Sequence, residues 1–213
     1  MSAPAGLERF LQPKAKPRPG ERCEMCAEDL TERHSHVVNL HGRTLMCTCR
    51  ACYLLFTHQG AGQGHYRAVP ERYRHDPGFA LTAAQWEALQ IPVRMAFFFA
   101  NSTLGKVVGF YPSPAGATEC LLPLEAWDEV MAVNPAFGDL QPDVEALLIV
   151  RRGDDGLTAD GYLAPIDACY ELVGRVKRSW KGFDGGQEVW AEIDDFFARL
   201  RRRSEAVAQA PPP

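Results

Sequence analysis

Residues 23–26 read CEMC and residues 46–52 read MCTCRAC, and the pairing of these two stretches decides how the N-terminal part of the chain folds. Cys23 with Cys26, and Cys49 with Cys52, form two C-x2-C turns. Each turn folds the intervening backbone back so that two sulfurs face one ion, and two turns complete a tetrahedral thiolate cage. Zinc is the expected occupant; iron is the alternative, because the same ligand set satisfies either metal. Cys47 stands two residues before Cys49, which on an extended segment puts both side chains on one face. It is either a buried thiol supporting the site or an additional or alternative ligand. His34, His36 and His41 have the chemistry to ligate, but with four thiolates at hand they read as ordinary hairpin residues.

Between the cysteine pairs, residues 34–40 suit a strand, His41-Gly42 a tight turn and residues 44–47 a return strand. The apolar run 53–56 after Cys52 suits a short helix ending near Gly60. Knuckle, hairpin, then a second C-x2-C on the first turn of a helix is a treble-clef or zinc-ribbon-like arrangement. This defines a four-cysteine metal-binding module over residues 21–64, preceded by a basic, proline-rich arm (1–20) that has no hydrophobic repeat and should be disordered.

A chain of 213 residues, 46% apolar, has room for one substantial core beside such a module. No stretch approaches the length of a membrane span, and residues 1–16 lack the apolar centre of a signal peptide, so a cytoplasmic location is expected. In a reducing compartment, clustered cysteines at ligand spacing favour metal over disulfides, and the odd total of seven agrees. The net charge of −4 argues against a nucleic-acid partner. From Val107 to Val150 there is no Lys or Arg, while Glu119, Glu125, Asp128, Glu129, Asp139, Asp143 and Glu145 supply negative charge that should lie largely at the surface.

Residues 65–205 read as an α+β domain. The segment 65–78 is aromatic, charged and irregular, suited to wrapping one module onto the other. Thr82 to Gln85 has the form of a capping box opening a short helix. Five strands follow from apolar runs bounded by turn residues, at 93–100, 106–111, 118–122, 144–151 and 157–163. A helix starting at Pro123 separates the third from the fourth, and Gly153 to Gly156 turn the fourth into the fifth. Two helices close the domain. The first, from near Pro165, carries Cys169, Leu172, Val173 and Val176 on one stripe; the second, 187–203, turns Val189, Trp190, Ile193, Phe196, Phe197 and Leu200 inward. The expected fold is α+β: the small treble-clef or zinc-ribbon-like module, then a largely antiparallel sheet with helices on one face, and a disordered tail at 206–213.

The segments MCTCRACYLLF, IPVRMAFFFANS, VVGFYPSPAGATE, APIDACYELVGRVKRSWKG and GGQEVWAEIDDFFARL, in this order, resemble a bacterial family of unknown function encoded beside high-affinity, oxygen-tolerant nickel–iron hydrogenases. The resemblance spans residues 22–203 and implies an accessory role near hydrogenase assembly or electron transfer. The residues themselves offer no nucleophile elbow, Walker loop, dinucleotide fingerprint or H-E-x-x-H motif. The paired acids Asp154-Asp155 and Asp194-Asp195 read as solvated. The leading expectation is therefore a zinc-stapled accessory or adaptor protein that binds a protein partner, such as a hydrogenase subunit or assembly factor, rather than an enzyme. The alternatives are a rubredoxin-like iron electron carrier at the same four cysteines and a nucleic-acid-binding zinc ribbon.

Overall fold

A computed structural model describes residues 22–58, 60–120, 123–152, 158–182 and 185–207. The arm at 1–20, the turn at 153–156 and the tail from 208 lie outside the described residues. A small antiparallel sheet comes first, from β1 (Ser35–Asn39), β2 (Thr44–Thr48) and β3 (Tyr66–Ala68) in the order β2-β1-β3. The hairpin turn between β1 and β2 is held by the Gly42 amide, which donates to Asn39 Oδ1 at 3.0 Å. Helix α1 (Arg50–Leu54) follows β2.

The larger sheet has seven strands: β4 (Arg74–Asp76), β5 (Met95–Asn101), β6 (Lys106–Ser113), β7 (Gly116–Cys120), β8 (Glu145–Arg152), β9 (Thr158–Pro165) and β10 (Glu205–Ala206). Their order is β10-β4-β9-β8-β5-β6-β7, antiparallel except where β10 lies parallel to β4. The chain is thus α+β with a largely antiparallel sheet. The five expected strands are β5 to β9. The two missed ones are three and two residues long and carry no apolar period. They exist because distant backbone groups find each other: the Glu205 amide donates to Tyr73 O at 3.0 Å and the Val207 amide to His75 O at 2.9 Å. Ala206 accordingly belongs to a strand and not to the expected tail.

Strands β5 and β8 are buried along almost their whole length. On one face Phe97, Phe99, Leu148 and Tyr162 pack against α4 (Ile166–Ser179) and α5 (Gly186–Arg203) through Cys169, Leu172, Val176, Val189, Ile193 and Phe197. Placing the last two helices together on one face agrees with expectation. The opposite face, however, is also covered: Ala96, Phe98, Leu147, Ile149 and Leu163 meet Trp86 and Leu89 around α2 (Ala83–Ala88), and Trp127 and Val130 of α3 (Leu124–Val133). Runs such as AFFF (96–99) and ALLIV (146–150) have no polar side to leave in water, so each needs apolar cover above and below. The cover is tight enough that a Cβ at Gly161 would stand 2.4 Å from the Phe79 ring. Helix α2 opens with the expected capping box, the Gln85 amide donating to Thr82 Oγ1 and the Thr82 amide to Gln85 Oε1. Trp190 departs from its assigned inward face and is 42% exposed, because at about 100° per residue it falls at the edge of the stripe set by Val189, Ile193, Phe196 and Leu200. Cys169 is fully buried in the core.

The acidic stretch divides in two. Glu119, Glu125, Asp128 and Glu129 are exposed as expected. Asp143 and Glu145 are buried, contrary to expectation, because Arg67 on β3 and Arg72 on the segment that joins the two sheets reach them. Glu145 is wholly inaccessible; it accepts from Arg72 Nε at 2.7 Å, Arg72 Nη2 at 2.5 Å and the Gln141 amide at 2.8 Å. Asp143 accepts from the Ser102 amide at 2.8 Å and Arg67 Nη1 at 3.3 Å. Asp139 binds Arg72 and Arg74; its partial burial disfavours the charge, but the two guanidiniums prevail and hold its carboxyl below the usual range. Residues 65–78 therefore do tie the small sheet to the large one. Replacing Arg72 by Met strands a buried carboxylate and should lower stability by about 3–5 kcal/mol, whereas the double variant Arg72→Met/Glu145→Leu should recover most of the loss. Urea midpoints of the wild type and the two variants check this.

Candidate metal centre

The first C-x2-C is folded by its own backbone. The Cys23 amide donates to Glu28 O at 2.7 Å and the Ala27 amide to Cys23 O at 2.8 Å, with Ala27 in the left-handed region at φ 63°. Two further bonds stitch this knuckle to β2: the Glu24 amide donates to Cys47 O at 2.9 Å, and the Cys47 amide to Glu24 Oε2 at 2.6 Å. The second pair sits where β2 ends and α1 begins. Cys49 is the N-cap residue of α1, with extended backbone, and its sulfur accepts the Cys52 amide at 3.5 Å. The local rule that separates a cap from the first helical turn thus also turns Cys49 and Cys52 toward the same point.

These two turns bring Cys23, Cys26, Cys49 and Cys52 Sγ within 4.8 Å of one another. An ion bonded to four sulfurs at about 2.3 Å sets the edges of its tetrahedron at ~3.8 Å. The Cys26 and Cys49 sulfurs are already 3.7 Å apart. All seven cysteines are free thiols. The set has the chemistry and spacing of a closed four-thiolate metal site.

Electrostatics explain why such a set calls for a cation. Burial disfavours the Cys23 thiolate, yet hydrogen bonds involving the Cys49, Cys26 and Met25 backbone prevail and lower its pKa to about 6. The same negative charge penalises its neighbours. Cys52 is pushed well above the usual thiol range by burial and then by the other three sulfurs. A hydrogen bond from the Glu28 backbone favours the Cys26 thiolate, but the Cys23 and Cys49 sulfurs outweigh it and its pKa is raised. A divalent ion removes that conflict by pairing with all four at once.

The knuckles have little apolar support of their own. The region's own core consists of the buried residues Val37, Tyr53 and Ala68, flanked by Met25, Phe56 and Tyr66. The other side of the hairpin joins the main core, through buried Val38 and partly buried Leu40 and Leu45.

Cys47 does not join the four thiolates. It falls in a second group with His34 and His36, whose ligand atoms also lie within 4.8 Å of each other. His34 Nδ1 bonds Thr31 O at 2.9 Å, and His36 Nδ1 bonds Asp167 Oδ2 on α4 at 2.8 Å. Burial opposes charge on His36, but hydrogen bonds to Asp167 and Cys47 prevail and raise its pKa to about 9. His41 is elsewhere, exposed at the hairpin tip with its ring centroid 4.2 Å from that of His65. Cys47 and Cys49 are two residues apart, yet they do not share a face. Strand β2 ends at Thr48, so the two side chains leave the backbone into different surroundings.

Of the remaining candidates, Asp194 and Asp195 are exposed on α5, Asp195 pairing with Arg199 at 2.7 Å. Asp154 and Asp155 lie outside the described residues. No helix among the described residues is long and apolar enough to cross a membrane.

A model described as a family of unknown function (DUF5947) matches residues 22–204, and the chain belongs to that family. No curated protein and no solved structure matches the chain significantly.

Because so little apolar contact supports the knuckles, metal removal should loosen them selectively. In hydrogen exchange, a chelator is expected to abolish protection at the Cys23, Glu24, Ala27 and Cys47 amides while β8 and β9 stay protected. Protection lost together across both sheets would show instead that ligation and the large core form one cooperative unit.

Proposed function

We propose that this protein is a zinc-stapled accessory protein, built on a treble-clef-like module, that acts by binding a protein partner of a nickel–iron hydrogenase system, in assembly or subunit docking. The observation that carries the reading is the convergence of four cysteine sulfurs within 4.8 Å. Four protein ligands leave a zinc ion no position for substrate, and sites of this kind build structure. The resemblance of the cysteine-rich and YPSPAGATE segments to a hydrogenase-linked family supplies the partner.

Two surface features support docking. Leu54 and Leu55, next to the second cysteine pair, are 53% and 66% exposed. Glu125, Asp128 and Glu129 leave an exposed acidic face on α3 suited to a basic partner.

Metal analysis and an absorption spectrum of protein purified without oxygen test the first half of the reading. Zinc bound by Cys23, Cys26, Cys49 and Cys52 with no visible absorption is expected. A red spectrum that bleaches on reduction would replace the adaptor by a rubredoxin-like electron carrier. For the second half, hydrogenase subunits and assembly factors should be captured on the immobilised protein. Capture should weaken with added salt and with charge reversal at Glu125, Asp128 and Glu129, and fail with Leu55→Asp.

A further inference from the structure

The group formed by His34, His36 and Cys47 has features that a merely structural hairpin does not require. The Thr31 carbonyl can only accept, so His34 carries its proton on Nδ1 and presents Nε2 as a bare acceptor. That Nε2 is buried and has no hydrogen-bond partner. A buried acceptor left unsatisfied costs stability unless something absent from the protein alone completes it. His36 shares the arrangement at Nδ1, which is engaged by the Asp167 carboxylate at 2.8 Å, and the other hydrogen-bond partner of its ring is Cys47, the third member of the group. Carbonyl and carboxylate partners on Nδ1 are how proteins orient imidazoles for a metal. Cys47 adds a thiolate donor, and its backbone is fixed on both sides by Glu24.

We propose that His34 Nε2, His36 Nε2 and Cys47 Sγ form a second metal site, separate from the four-cysteine centre, that takes a divalent transition ion such as zinc and keeps its fourth coordination position open. Metal–nitrogen bonds of about 2.0–2.1 Å and a metal–sulfur bond of about 2.3 Å need ligand atoms within ~4 Å of one another. The three residues offer ligand atoms within 4.8 Å before any ion draws them in. Two imidazoles and one thiolate suit zinc, cobalt(II) or copper(II) and do not suit magnesium or calcium. Three protein ligands with a vacant position distinguish an exchangeable or reactive ion from a structural one. The neighbouring four-thiolate centre holds the knuckle that positions Cys47, so one site serves as scaffold to the other.

Cobalt(II) is the probe. Full-length protein stripped of metal under reducing, oxygen-free conditions is titrated with cobalt, following its visible bands, with metal counted by native mass spectrometry. The wild type should bind two ions per chain. His34→Ala and Cys47→Ser should each bind one and retain the four-thiolate spectrum, which also reports that the module has folded. Asp167→Asn should weaken the second ion roughly 10–100-fold without altering the first. Added imidazole should shift only the bands that these variants lose, as expected of an open position. A wild type that saturates at one ion overturns the proposal, as does loss of both ions together in His34→Ala, Cys47→Ser and Asp167→Asn. Partner capture and the four-thiolate spectrum are separate readouts, so this site can fail while the adaptor reading stands.

Discussion

Strands β5, β8 and β9 occupy the middle of the large sheet, and the first two have almost no residue that faces water. That condition propagates outward. Because every second side chain points to the opposite face, a run such as ALLIV at 146–150 demands apolar layers on both sides. Helices α4 and α5 satisfy one face, and α2 with α3 the other. The small sheet then leans on what remains, placing Val38 against the same core as Phe99 and Val108. The position of the four-cysteine module is therefore a consequence of the central strands. His36 reaches Asp167 only because the helix carrying that carboxylate is already packed on the sheet.

Local signals made much of this legible from residues alone. Alternating or continuous apolar runs mark β5 to β9, a capping box marks α2, and the apolar stripe through Cys169 and Val176 marks α4. The misses share a cause. Strands β4 and β10 carry RHD and EA, and their ladder comes from partners on β9 and in each other, which no local pattern encodes. Burial of Asp143 and Glu145 was hidden for the same reason: their arginines lie about seventy residues earlier in the chain. An acidic run looks solvated until the opposite charge is placed.

The site divides similarly. Two C-x2-C turns are short-range devices, so the four-cysteine set could be named from spacing. The second group could not, because His34 and His36 come from the entry to β1 and Cys47 from the neighbouring strand, opposite His36 in the register. Hairpin pairing is what brings them together. A usable signal was nonetheless present: histidines at i and i+2 of an extended segment share one face, and counting along the turn places Cys47 across from the second.

The register of β4 also bears on how the chain assembles during synthesis. Everything that the four-cysteine centre needs lies between residues 22 and 52, so its ligands can close on an ion as soon as that short segment is free. Arg74, by contrast, pairs with Leu163 on one side and Glu205 on the other. Its strand is made early and must remain open until nearly all of the domain has emerged, since loops of that length close late and non-local ladders form slowly. The chain thus joins a local closure of its cysteine knuckles to a slower event gated by its last strand. In the interval between them, β4 presents an unpaired edge.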